Sequence, residues 1–166
     1  KFFTTDNGLS SSLINKIYQD RNGMVWIATE DGLNRYDGSK ITIYKHDPID
    51  KNSLCHNFVS TLFEDREGRL FVGTYNGIQM YNPETDKFSD NAIWNDGKPF
   101  RSDCTACTQL RNGEIWLSGN VPCKLRVEDG ELIVSPLESP VPEGSIEEVM
   151  EDAFGRIWLI IAGDKI

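Results

Sequence analysis

A glycine followed three residues later by a large aromatic returns four times in this chain, as Gly23 and Trp26, Gly68 and Phe71, Gly113 and Trp116, and Gly155 and Trp158. Successive copies stand 45, 45 and 42 residues apart. In three of them an aspartate precedes the glycine by three positions (Asp20, Asp65, Asp152), and Leu110 takes that place in the third. The first two copies run on into a second turn, at Glu30-Asp31-Gly32 and Tyr75-Asn76-Gly77. One phrase recurring at a nearly fixed period over 166 residues restricts the chain to an array of a single supersecondary unit.

Within the first unit the residues read as four short strands, at about 14–19, 24–28, 33–36 and 41–44. Asx and Gly residues separate them. Gly supplies a positive φ without steric cost and Asp or Asn bonds the nearby backbone, so these are hairpin turns. Each unit is then an antiparallel four-stranded meander. The second strands, such as Met24–Ala28 and Arg69–Gly73, are apolar at most successive positions. A sheet with one wet face would alternate, so continuous runs mean cover on both faces. Four-stranded sheets of about 45 residues that shield one another describe an all-β chain of β-propeller blades; a β-solenoid would use shorter repeats. The expected organisation is an orphan outer strand at 2–5, blades at 12–45, 57–90 and 103–135, and an incomplete blade at 145–166. That amounts to about three and a half blades of a seven-bladed ring. Lys1 opens in mid-pattern and the fourth unit stops early, which suggests a piece cut from a longer protein. Bare apolar faces at the two ends would favour a homodimer or further self-association.

Charge narrows the function classes. The formal net charge is −9 with a pI near 4.7, and no cluster of Lys and Arg exists to displace counterions from nucleic acid. The longest apolar runs, five or six residues, are far short of the ~20 that cross a bilayer, so no membrane contact is expected of this segment. Cys104 and Cys107 have a redox-motif spacing, but residues three apart on a strand point to opposite faces. Together with Cys55 and Cys123 they read as buried thiols, small hydrophobes in effect.

From Gly8 to Asp37 the chain resembles the two-component regulator propeller repeat, closely in the first two units, in part in the third, and clearly in the truncated fourth. The resemblance implies the sensor region of a hybrid two-component system of gut anaerobes. In that family two seven-bladed propellers and a small β-sandwich lie in the periplasm, ahead of a membrane helix, a histidine kinase and a response-regulator part. It also implies a periplasmic location, oligosaccharides from glycan breakdown as ligands, and the remainder of the same polypeptide as a partner.

The repeated residues themselves are turn formers and core. One aspartate per turn is too few for calcium, which takes six to eight oxygens, so no metal, cofactor or catalytic group is expected. His46 and His56 share one connection with no matching set elsewhere, and no phosphate loop or nucleophile elbow occurs. Adjacent carboxylates such as Glu147 and Glu148 read as solvated. Binding residues should sit where the units differ, in the connections 45–57, 89–103 and 135–144 and in the turns after strand two, which a propeller gathers on one rim. The candidates are Trp94, Tyr75, Asn76, Asn95, Arg101 and Asn120. Trp94 has no counterpart in other units, and a ring flanked by Asn95 and Asp96 would suit a sugar; otherwise it packs its own loop onto a blade. A propeller used only as a protein-interaction or dimerisation scaffold is the alternative function, and an enzyme is the third.

Overall fold

In a computed structural model of the chain, residues 2–137 and 145–162 are described. Antiparallel sheets follow one another along the sequence. The first holds β1 (Ile14–Gln19), β2 (Val25–Thr29), β3 (Gly32–Tyr36) and β4 (Ile41–Tyr44) in that spatial order. The second repeats it with β5 (Val59–Glu64), β6 (Leu70–Thr74), β7 (Gly77–Asn82) and a two-residue β8 (Lys87–Phe88). After β9 (Ile93–Trp94) come β10 (Ala106–Gln109), β11 (Ile115–Ser118), β12 (Cys123–Glu128) and β13 (Glu131–Pro136) of the third. β14 (Ser145–Glu151) and β15 (Ile157–Ala162) form the described part of the fourth. The all-β blade architecture expected from the repeat is the one observed.

The turn from strand one to strand two shows why the phrase repeats. Gly23, Gly68, Gly113 and Gly155 adopt φ of 85°, 86°, 93° and 78°, where a Cβ is disfavoured. One oxygen of Asp20 accepts the backbone N–H groups of Asn22 and Met24, at 2.9 Å each. The other accepts the indole N–H of Trp26 at 2.8 Å. Asp152 does the same for Phe154, Arg156 and Trp158. In the second blade Phe71 has no donor to offer, and the Arg69 guanidinium occupies the second oxygen of Asp65 at 2.6 Å. The aspartate therefore ties the turn to the aromatic as well as capping it.

Cross-strand register makes the four aromatics one structural position. Trp26 faces Tyr18, Phe71 faces Phe63, Trp116 faces Thr108 and Trp158 faces Met150. Their surroundings differ by place in the row. Trp26 and Phe71 are fully buried, Trp116 is half-buried, and Trp158 is 53% exposed. Apolar side chains between blades one and two (Trp26, Leu33, Leu54, Val59, Val72, Tyr81) and between two and three (Phe71, Ile78, Phe100, Leu117, Leu125, Val134) form the two cores. Burying a ring of this size removes about 150–250 Å² from water, or ~4–6 kcal/mol as an upper bound.

Polar contacts stitch each blade to the next at repeated positions. β-bulges at Asn15 and Ser60 leave a residue unpaired and turn its side chain outward. Asn15 Nδ2 donates to the Val59 carbonyl at 2.8 Å, Ser60 Oγ to that of Cys104, and Thr105 Oγ1 to that of Ile146 at 3.0 Å. At the opposite end of the strands, Arg21, Arg66 and Arg111 clasp the following blade. Their backbone N–H groups bond the side chains of Glu64, Gln109 and Glu151, and their guanidinium groups reach the carbonyls of Asp65, Arg111 and Ala153.

Two expectations are corrected. Residues 2–5 form no strand: Thr4 is extended but unpaired, and Thr5–Asn7 is a 3-10 turn. Asn7 closes this turn locally, accepting the Thr4 N–H at 2.6 Å and donating to the Phe2 carbonyl at 2.9 Å, while Phe3 rests on Tyr36. The third sheet has five strands instead of four, because β9 from the preceding connection adds in parallel to β13. The turn at Asn95–Gly97 folds that connection back, bringing Ile93 opposite Pro99, and the Asn95 N–H bonds the Val134 carbonyl. An open sheet edge offers such unpaired groups to any nearby strand. The third strand expected of the fourth blade, and most of the connection 135–144, lie outside the described residues.

Candidate functional site

The turn after strand two meets the segment that leads into strand one, blade after blade. Glu30 N–H bonds the Leu13 carbonyl, Tyr75 N–H the Phe58 carbonyl, and Asn120 N–H the Asp103 carboxylate, all at 3.1 Å. Adjacent blades join there too, through Gly32 N–H to the Asn57 carbonyl and Cys104 N–H to that of Thr74. The connections and these turns thus share one rim, as the repeat implies.

Buried amides fix that rim. Gln79, 1% exposed, accepts the Cys55 N–H at 2.7 Å and donates to the carbonyls of Ser53 and Ser89. Asn34 holds Ser10 in the same way one blade earlier. Asn91 is saturated on both ends: its Oδ1 accepts from Ile78 and Ala92, and its Nδ2 donates to the carbonyls of Asn76 and Phe100. A Cβ at Gly77, whose φ is +126°, would sit 2.2 Å from Asn91 Oδ1, so this turn requires glycine. Buried polar groups satisfied to this degree make a rigid frame.

Between the two connections lies a cleft of about 440 Å³, lined among others by His46, Lys51, Cys55, Asn76, Asn91 and Arg101. Tyr75 stands beside it, 64% exposed, its ring centroid 5.8 Å from that of His56 and 6.1 Å from that of Phe58. The backbone N–H of Phe58 donates to His56 Nδ1 at 3.0 Å, which orients the imidazole. Burial pushes the Cys55 thiol up, against the pull of the Thr74 hydroxyl and the Arg101 charge. Cys104 and Cys123 are buried free thiols, and burial holds the latter up at about 12. Among the described residues, no three His, Cys, Asp or Glu side chains converge as a metal site. A larger groove of about 530 Å³, between β7–β8 and the β13 edge, is the outward splay of blades two and three.

Of the six residues singled out in the sequence, Asn76 and Arg101 line the cleft, while the Tyr75 ring, next in the chain to Asn76, lies against His56 and Phe58. Asn120 lies on the same rim one blade further on and is exposed. Trp94 and Asn95 do not join them. They sit at the outer edge of the third blade, where the half-buried Trp94 ring packs edge-on against Phe100 at 5.3 Å. The expectation of an exposed sugar platform there gives way to the structural alternative: the ring seals the folded-back connection onto its blade. His56, Phe58 and Asn91 were not legible as site residues. One signal was present, since His56 and Arg101 fill the same repeat position that Ser11 fills in the first blade, at 45-residue spacings.

Comparison with known proteins agrees with this architecture. The model of the two component regulator propeller family matches residues 8–31 and 53–76. A curated protein, Histidine kinase P4 of Formosa agariphila, is 44% identical over 54 residues, or 32% of this chain and 4% of that protein. The extracellular domain of the hybrid two component system BT4673 of B. thetaiotaomicron superposes with a TM-score of 0.72 at 21% identity, over 92% of this chain and 23% of its own. The virginiamycin B lyase of Staphylococcus aureus superposes at 0.61 with 18% identity, over 88% and 48%. The chain thus spans less than a third of the two-component proteins it matches. It is a row of β-propeller blades, with residues 8–31 and 53–76 matching the two component regulator propeller model.

Proposed function

We propose that the chain is a ligand-sensing part of an extracytoplasmic two-component sensor, and that its ligand is an oligosaccharide from glycan breakdown, bound at the rim cleft beside Tyr75. The repeat match and the histidine kinase relative support a sensor segment. The solved relatives of two-component type are extracellular domains, and no helix of the described residues is long and apolar enough to cross a membrane, which fits a periplasmic setting. The observation that carries the reading is the convergence of Asn76 and Arg101 on one cleft of a rigid frame, with the exposed Tyr75 next in the chain to Asn76. An exposed ring face suits the C–H groups of a sugar, and amides with a guanidinium suit its hydroxyls. Some propellers of this shape are lyases, such as that of Staphylococcus aureus; in this cleft, among the described residues, the Cys55 thiol bonds the Thr74 hydroxyl and His46 Nδ1 the Leu54 carbonyl, instead of each other. Signal would pass to a kinase in the rest of the polypeptide. The exposed apolar faces of the first and fourth blades favour a second reading, a dimerisation scaffold.

Isothermal titration against a panel of neutral and acidic oligosaccharides tests the proposal. Micromolar to millimolar binding is expected, weakened about tenfold by Tyr75→Ala and unchanged by Trp94→Ala. Equal loss from both variants, or from neither, would move the site elsewhere.

A further inference from the structure

Seven of the eight arginines are engaged. Arg21 pairs with Glu64, Arg35 with Asp86, Arg69 with Asp65, Arg126 with Glu128 and Arg156 with Asp152, while Arg66 and Arg111 bond carbonyls of the next blade. Arg101 is the exception: among the described residues its guanidinium has no hydrogen bond or ion pair, although it lines the rim cleft. Nothing about its backbone is loose. Phe100, 1% exposed, anchors one side, its N–H bonded to the Ala92 carbonyl and its own carbonyl to Asn91. On the other side the Cys104 N–H bonds the Thr74 carbonyl. A fixed stem therefore presents an unpaired planar fork to the cleft.

The two acidic residues of the cleft have partners of their own and keep their charge. One oxygen of Asp47 accepts the Ile49 N–H at 2.9 Å. Asp50 takes the Asn52 N–H at 3.0 Å and the Lys87 ammonium at 2.9 Å. Lys51 adds a second positive charge, with Asp90 only at 3.8 Å. The charged side chains lining the cleft thus balance, two carboxylates against two cations, and among the described residues Arg101 is the one of the four whose charged group has no ion pair or hydrogen bond. A guanidinium matches a carboxylate or sulfate through two parallel N–H···O bonds, which a neutral hydroxyl cannot accept.

We infer that the rim cleft selects an anionic saccharide, with Arg101 as the residue that reads its carboxylate or sulfate and Tyr75 as the surface on which its ring lies. This rests on the saccharide-sensing reading above. Asn76, which lines the same cleft, would then meet a hydroxyl of the same sugar.

Three probes separate the possibilities by calorimetry: trigalacturonate, galactose 6-sulfate and neutral α-1,4-galactotriose. At least one anionic probe should bind tenfold or more tighter than galactotriose, and raising the salt should weaken that binding alone. Arg101→Gln should abolish the difference, and Arg101→Lys should restore part of it, with unfolding temperatures unchanged because the side chain holds nothing in place. Which anionic probe binds tells carboxylate from sulfate. If galactotriose binds as well as both anionic probes, or if the preference survives in Arg101→Gln, this inference falls while the sensing proposal stands. If none of the three binds, both fall.

Discussion

Asp86 occupies a left-handed turn position, φ 57°, between β7 and β8, and one of its oxygens takes donors from two blades. Arg35 reaches it at 2.7 Å, Tyr44 at 2.6 Å and Tyr81 at 2.7 Å. The Arg35 guanidinium lies over the rings of Trp26, Tyr44 and Tyr81 at 5.6–5.8 Å, so cation–π attraction and the ion pair act on one group. Burial pushes the Asp86 carboxyl up, but the two hydroxyls and the guanidinium outweigh it and hold it below the usual carboxylate range. A depressed native value gives stability that is present above the unfolded value, about 3.9, and is lost as pH falls through the native one. Asp86→Asn should thus lower the melting temperature at pH 7, with the difference starting to close near pH 4 and vanishing as pH falls through the lower native value. A pH series of Trp-fluorescence melts checks this; parallel curves would remove Asp86 from the latch. The latch was not legible in the sequence. Arg35 and Asp86 are 51 positions apart and neither is repeated, so only the apposition of two blades identifies them.

At the scale of the strand, the same repeat position carries different weight along the row. Phe71, fully buried between blades two and three, should cost about 3–5 kcal/mol on Phe71→Ala, through lost transfer energy and the cavity left behind. Trp158→Ala, at a ring 53% exposed, should cost about 1 kcal/mol or less. Denaturant unfolding of the two variants measures the contrast, and equal losses would mean that Trp158 is covered in solution. The strands, their turns and the buried positions were legible because period, Asx-Gly turns and unbroken apolar runs are local signals. β9 was not: Ile93 and Trp94 favour strands, but a run of two inside a connection becomes one only beside the open edge of β13. Residues 2–5 erred in the other direction: strand-like composition does not make a strand where no neighbour pairs with it.

For the whole molecule the two ends of the row decide its behaviour. Leu13, Ile14 and Ile17 are 57%, 44% and 61% exposed on the first blade. Met150, Trp158 and Ile160 are 54%, 53% and 54% exposed on the fourth. Contiguous apolar surfaces of this kind mark contacts yet to be made. The 166 residues produced by themselves should associate in a concentration-dependent way in sedimentation velocity. Ile17→Lys combined with Ile160→Lys should shift them toward monomer. A concentration-independent monomer of the unaltered chain would show that these faces need no cover.

The repeat alone dictated the hairpin strands of each unit, their turns and the shared position of the four aromatics, because hairpins and apolar runs are written within a few tens of residues. Contacts between blades settled the rest. They brought Asn76 and Arg101 to one cleft, moved Trp94 out to a sheet edge, and left one arginine without a partner among the described residues. Such choices depend on which side chains from separate repeats come within a few ångströms, and a linear pattern carries no record of that distance.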